Sequence, residues 1–136
     1  MRAVLDVNVL IAALLSRHGA PARIVVAWLE GAYDLVVSPQ LLDELARALA
    51  YPKLRRRVSE AEAAELVAVL RRSAILLADP PGPPPVASAD PGDDYLLALA
   101  ASTNAMLVTG DAHLLELAQV APIHTPAEFA DLLERN

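Results

Sequence analysis

Short apolar runs alternate with helix signals along this chain, and that alternation constrains its fold more than any other feature. Residues 3–5, 34–37 and 74–78 read as strands, as do "AMLVT" (105–109) and "APIHT" (121–125). Helical segments lie between them. One starts at residues 9–15, and "APARIVVAWLEGAY" (20–33) follows, with Gly31 as its stop. That segment is apolar almost all round, which predicts a deeply buried helix or a subunit interface. In "SPQLLDELARALAY", Ser38 is the N-cap and Pro39 the first helical residue. Ser59 and Glu62 form a capping box for a helix over 59–72. "DDYLLALAAS", "DAHLLELA" and "PAEFADLLER" supply the remaining helices. Strands alternating with helices predict an α/β fold, with a mostly parallel sheet of about five strands flanked by helices. "DPPGPPPVASADPGDD" is too rich in proline for regular structure, and too little chain follows it to build a second domain. One domain over residues 1–136 is therefore expected.

The first strand raises a chemical question. Asp6 closes it and Asn8 stands two residues on, yet a carboxylate at the end of a buried strand is costly unless something pairs with it. In open α/β sheets, sites form beyond the carboxyl ends of the strands. Acids reach that edge from four separate places. Asp6 and Asn8 follow strand one, and Ser38 follows strand two, with Asp43 and Glu44 in the helix it starts. Asp93 and Asp94 open the helix after the proline loop, and Thr109 and Asp111 follow strand four. Crowded carboxylates raise one another's pKa, and a divalent cation removes the conflict. Oxygen-only donors favour Mg²⁺ or Mn²⁺, ions that support metal-assisted phosphodiester cleavage by activating water. Each residue also has a plainer role. Asp111 and Ser38 read as caps, Asp90 before Pro91 reads as another, and Asp93 and Asp94 complement a helix dipole. Asp6 resists that reading most. His18, His113 and His124 read as surface or hydrogen-bonded residues, and Trp28 as core or interface.

Composition narrows the classes. The chain has 136 residues, 55% of them hydrophobic, so it can bury a core. It has no cysteine, which excludes disulfides and thiolate metal sites and suits a reducing cytoplasm. The apolar run at 9–15 is too short to span a bilayer, so a soluble cytoplasmic protein without membrane contact is expected. A net charge of −6 argues against a nucleic-acid partner. Its distribution softens that objection, because Arg47, Lys53, Arg55, Arg56, Arg57, Arg71 and Arg72 crowd the middle of the chain. Either a basic rim beside an acidic pocket or a solvated helical face accounts for them. With aromatics at only 4%, base stacking is not the evident binding mode.

"VLDVNVLIAALL", "VVSPQLLDELARAL", "DPGDDYLLALAAS" and "MLVTGDAHLLEL" together resemble, in order and spacing, the four acidic motifs of PIN domains. They are most similar to the VapC-like branch, toxin components of toxin–antitoxin systems. The resemblance runs from Ala3 to about Leu133. It implies a Rossmann-like fold, a Mg²⁺- or Mn²⁺-dependent endoribonuclease, a homodimer or higher homo-oligomer, and a protein antitoxin. Matched to the motifs, Asp6, Glu44, Asp94 and Asp111 are the catalytic and metal-binding acids. Asn8, Ser38, Asp93 and Thr109 support them. Arg47, Lys53 and Arg55–Arg57 are candidates to guide an RNA backbone. Two other readings stand beside this one. In a non-catalytic interaction module the acids only cap helices. A phosphatase of the haloacid-dehalogenase class also starts with an Asp after strand one. It needs an acid where Asn8 stands and a late lysine, whereas Lys53 is the only lysine.

Overall fold

The computed structural model describes residues 1–135, so Asn136, the last residue of the expected domain, lies outside the described residues. Five strands form one parallel sheet: β1 (Arg2–Leu5), β2 (Asp34–Val37), β3 (Ile75–Leu76), β4 (Met106–Val108) and β5 (Ile123–His124). Their order is β3-β2-β1-β4-β5. The chain builds outward on one side of β1 and then crosses to build outward on the other, so the switch point lies between β1 and β4. Their register pairs Leu5 with Val108, which brings the two carboxyl ends level. Asp6 and Thr109 are the next residues on each strand.

Helices cover both faces, as a sheet buried on both sides requires. They are α1 (Val7–Leu15), α2 (Ala20–Leu29), α3 (Pro39–Leu49), α4 (Pro52–Arg55), α5 (Glu60–Ser73), α6 (Asp94–Ser102), α7 (Ala112–Leu115) and α8 (Pro126–Arg135). The core runs through the strand interiors and the inner faces of α1, α3 and α6, with Leu5, Leu35, Leu41, Leu45, Leu96 and Leu99 fully buried. Each such leucine contributes about 1.5–3 kcal/mol of transfer free energy. Tyr33 packs edge-on against Phe129 of α8, ring centroids 4.9 Å apart, and its hydroxyl donates to the Ile24 carbonyl at 2.7 Å. Burial pushes that phenol's pKa up.

Several expectations are met in detail. Ser38 caps α3 by accepting from Leu41 N at 3.2 Å. Ser59 and Glu62 close their box with two 3.0 Å bonds. Gly31, at φ +89°, ends α2 in the left-handed region that glycine enters freely. Others are corrected. The strand expected over 74–78 pairs only through Ile75–Leu76, where it joins the sheet edge. The helix expected over 111–118 is a single turn, α7, after which residues 116–120 form turns. Helix α4 adds to the expected elements, and its four residues are too few to show a period in the sequence. Helix α2 buries Ile24 and Trp28 but leaves Val26 and Leu29 exposed, so it is only half covered. Among the described residues no single helix is long and apolar enough to cross a membrane.

Candidate active site

The site begins at the end of β1. Asp6 is buried, and it caps α1, with Asn8 N donating to its Oδ1 at 3.5 Å. Its other oxygen, Oδ2, accepts from the Thr109 hydroxyl at 2.8 Å. Thr109 Oγ1 in turn accepts from Asp111 N at 3.0 Å, and Asp111 Oδ1 accepts from His113 N at 2.8 Å, capping α7. One short chain of hydrogen bonds thus ties together the ends of the two strands at the switch point. Asp6 also has structural partners of its own, so it is a cap as well as a candidate ligand. These bonds do not offset its burial. Desolvation pushes its pKa above the usual carboxylate value, the Thr109 and Asn8 bonds oppose this, and the charge of Asp111 adds to the rise.

Asp93 supplies the second buried oxygen. Asp90 caps the turn Pro91–Asp93 by accepting from Gly92 N at 2.9 Å, and α6 starts at the next residue. This turn points Asp93 toward Asp6 and Asp111. Partial burial and the charges of Asp111, Asp6 and Asp90 push Asp93 up to about 6. Its Oδ2 is buried with no protein group donating to it. Asp111 is itself a carboxylate, so it can share a hydrogen bond with Asp93 only if one of the two keeps a proton.

The structure differs from the motif assignment over Asp94. Asp94 Oδ1 accepts from Ser88 N at 2.8 Å, which ties it to the proline loop. It lines a separate cavity with Gln40, Asp79, Gly82 and three prolines. Consecutive residues at a helix start project about 100° apart, so two adjacent aspartates cannot face the same ion from the same side. Asp93, expected only as a helper, is the one in the acid cleft.

That cleft encloses about 220 Å³, and Asp6, Asn8, Glu44, Arg47, Tyr51 and Asp93 are among its lining residues. Glu44 reaches it from α3, where it is half-buried and paired with Arg47 at 3.3 Å. Tyr95 of α6 lines both this cleft and the Asp94 cavity. Burial, and then the charges of Asp6, Glu44, Asp93 and Asp79, push its phenol pKa up, so it stays a neutral donor. Ser38 is fully buried under α3 and is absent from the cleft wall. Of the basic residues proposed to guide a backbone, Arg47 lines the cleft. Arg55 lines a different groove with Arg71, Arg57 reaches the Leu15 carbonyl at 3.5 Å, and Lys53 and Arg56 are exposed. Tyr95 and Tyr51 were missed as site residues. Tyr95 follows Asp94 directly, but the direction a side chain takes from a helix start is set by the turn before it, which the sequence left open.

Among the described residues, no three acidic or histidine side chains stand close enough to share one ion as they are arranged. The donors nevertheless fit a hard divalent cation in kind: all are oxygens, two carry raised pKa values, and one buried oxygen lacks a donor.

A family model described as "PIN domain" matches residues 2–113. No curated protein matches the chain in sequence. Among solved structures, PAE2754 from Pyrobaculum aerophilum is similar at a TM-score of 0.67 and 19% identity, covering 100% of this chain and 91% of its own. A chain of VapBC2 from Rickettsia felis, crystallised with a DNA fragment from their promoter, is similar at 0.60 and 13% identity, covering 92% and 97%. At these identities the two structures share the fold.

Proposed function

Because this chain belongs to the PIN-domain family, a family generally of nucleases, we propose that it is a Mg²⁺- or Mn²⁺-dependent endoribonuclease. The observation that carries this reading is the buried Asp93 Oδ2 without a donor, set among carboxylates whose protons are held too tightly for exposed acids. Such an arrangement costs stability unless a cation joins it.

Asp6, Asp93 and Asp111 would hold the ion, drawn together from the positions they take without it. When bound, the ion would supply positive charge to the scissile phosphate and lower the pKa of water. The remaining work falls to the protein. Thr109 fixes the Asp6 carboxylate by donating to it and Asp111 by accepting from its backbone. Glu44, across the cleft, orients the attacking water and accepts its proton. Asn8 and Arg47 donate to the non-bridging phosphate oxygens. Water oxygen forms a bond to phosphorus, the bond to the 3′ oxygen breaks, that oxygen takes a proton from solvent water, and the products are a 5′-phosphate and a 3′-hydroxyl. Asp94 lies outside this set, because its carboxylate anchors the proline loop at Ser88.

A cytoplasmic toxin with a protein antitoxin is the biological role we infer. It is supported by the fold likeness to a chain of the Rickettsia felis VapBC2 complex. A homodimer or higher oligomer would cover the exposed Val26 and Leu29 on α2. The non-catalytic reading draws on the capping roles of Asp6, Asp90 and Asp111, but it leaves Asp93 unexplained. The phosphatase reading is disfavoured because Asn8 holds the position of its second acid and Lys53 is exposed outside the cleft. The test is cleavage of a mixed RNA pool in Mg²⁺, Mn²⁺ or EDTA. Metal-dependent cutting lost in Asp93→Asn supports the nuclease, whereas cutting that survives EDTA and the substitution removes it.

A further inference from the structure

The proline loop walls a second cavity, and nothing in the proposed reaction uses it. It encloses about 240 Å³ between the loop, the start of α3 and α6. Two carboxylates line it, each anchored through one oxygen. Asp79 Oδ2 accepts from Gln40 N at 2.9 Å, and Asp94 Oδ1 accepts from Ser88 N at 2.8 Å. The second oxygen of Asp79, Oδ1, is buried with no protein group donating to it. Among the described residues neither acid makes an ion pair, and no lysine, arginine or histidine lines the cavity.

The rest of the wall narrows the chemistry. Pro80, Pro83 and Pro84 have no N–H to give, so the loop adds no donor at those positions. A cavity with two carboxylates, few donors and no basic side chain repels anions and suits a cation that donates hydrogen bonds. The proline rings and half-buried Tyr95 supply apolar surface on either side of the acids. With only two carboxylates to bind it, a divalent ion would keep several waters, and apolar walls give that shell little to bond. No group of three ligating side chains stands here among the described residues. A flat organic cation fits both halves of the site. Its edge presents paired N–H donors to carboxylates, and its faces lie against aromatic and apolar surface. A guanidinium has that shape, whereas an ammonium is a compact, strongly hydrated point charge.

We propose that this cavity binds a guanidinium carried on a short alkyl chain, with Asp79 and Asp94 accepting from its N–H groups and Tyr95 and the proline rings flanking its faces. Two carboxylates that stand without a counter-charge behind apolar walls then gain one. A free guanidinoalkane and the arginine side chain of a peptide share this chemistry. The cavity is separate from the acid cleft, so the site stands whether or not the cleft cleaves RNA.

The test is calorimetric titration, in EDTA, of three probes: agmatine, an end-blocked Gly-Arg-Gly peptide and an end-blocked Gly-Lys-Gly peptide. The proteins are the wild type, Asp79→Asn, Asp94→Asn and, as a control for the acid cleft, Asp93→Asn. Asparagine at 79 keeps an acceptor for Gln40 N, and melting curves without probe confirm that each variant is folded. The wild type and Asp93→Asn are expected to bind the guanidinium probes alike. Asp79→Asn and Asp94→Asn bind them at least about tenfold more weakly, and the lysine peptide binds the wild type more weakly than the arginine peptide does. Tighter binding of the arginine peptide than of agmatine upholds the site and makes a protein segment its source. The reverse upholds it with a free small molecule as the source. A wild type that binds neither guanidinium probe overturns the site, as does binding lost in Asp93→Asn and kept in Asp79→Asn. A lysine peptide that binds as tightly as the arginine peptide overturns the assignment to a guanidinium.

Discussion

Carboxylates gather in two kinds of place in this molecule, and the protein treats them in opposite ways. At the capping boxes of α5 and α8, Glu62 and Glu128 each accept a backbone N–H from the cap residue, Ser59 and Thr125. Those bonds hold both acids below the usual glutamate pKa. At the carboxyl edge of the sheet, burial and mutual repulsion push Asp6 and Asp93 up. The first arrangement is complete within the protein. The second leaves a buried Asp93 oxygen without a donor. A fold keeps such a cost at a site whose chemistry needs it.

The comparison is broken most severely by removing the unsatisfied acid. Asp93→Asn should cut RNA cleavage on the order of 100-fold or more while leaving the metal-free protein at least as stable. Asp94→Asn should retain most of the activity, because its carboxylate only anchors Ser88. Kinetics of both variants, alongside thermal melts in EDTA, would check this. If instead the Asp94 variant is the dead one, the motif assignment outranks the geometry.

The hydrogen-bond chain at the switch point comes next. Thr109→Val leaves the buried Asp6 carboxylate without its 2.8 Å donor and should cost about 1–3 kcal/mol in chemical denaturation. By contrast, Ser59→Ala and Thr125→Ala should each cost about 1 kcal/mol and leave cleavage untouched. A cap variant that lost activity would couple regions that the structure keeps apart.

Acidity sharpens the contrast most gently. Asp93's pKa is raised on folding, so its contribution to stability is fully present below its unfolded pKa, 3.8. It is lost as pH rises through about 6. Glu62 and Glu128 have lowered values. Their contribution is present above 4.5 and is lost as pH falls through their folded values. In EDTA, the Asp93→Asn protein should therefore lose less stability than the wild type between pH 4 and 6. The Glu62→Gln protein should differ from the wild type above pH 4.5 and converge on it below that. Melting curves across this range would show either pattern or its absence.

The alternation of strands and helices was legible because a parallel sheet covered on both faces leaves period and punctuation in the sequence, from Pro39 to the Ser59–Glu62 box. The acids were legible as a set for the same reason: the ends of β1 and β4 must meet at the switch point. What the sequence left open was local direction. Whether Asp93 or Asp94 faces the cleft depends on one turn of backbone at Pro91, and that turn depends on the Asp90 cap. The second box, Thr125 with Glu128, has the same spacing as the first and closes the start of α8 with bonds of 2.8 and 3.1 Å.

In the proposed site Asp93, with Asp6 and Asp111, receives a divalent cation. Calorimetric titration of Mn²⁺ into the wild type, Asp93→Asn and Asp94→Asn tests it without any substrate. Binding is expected for the wild type and for Asp94→Asn, weakened at least about tenfold in Asp93→Asn. Equal binding by all three proteins, or a loss confined to Asp94→Asn, would contradict it.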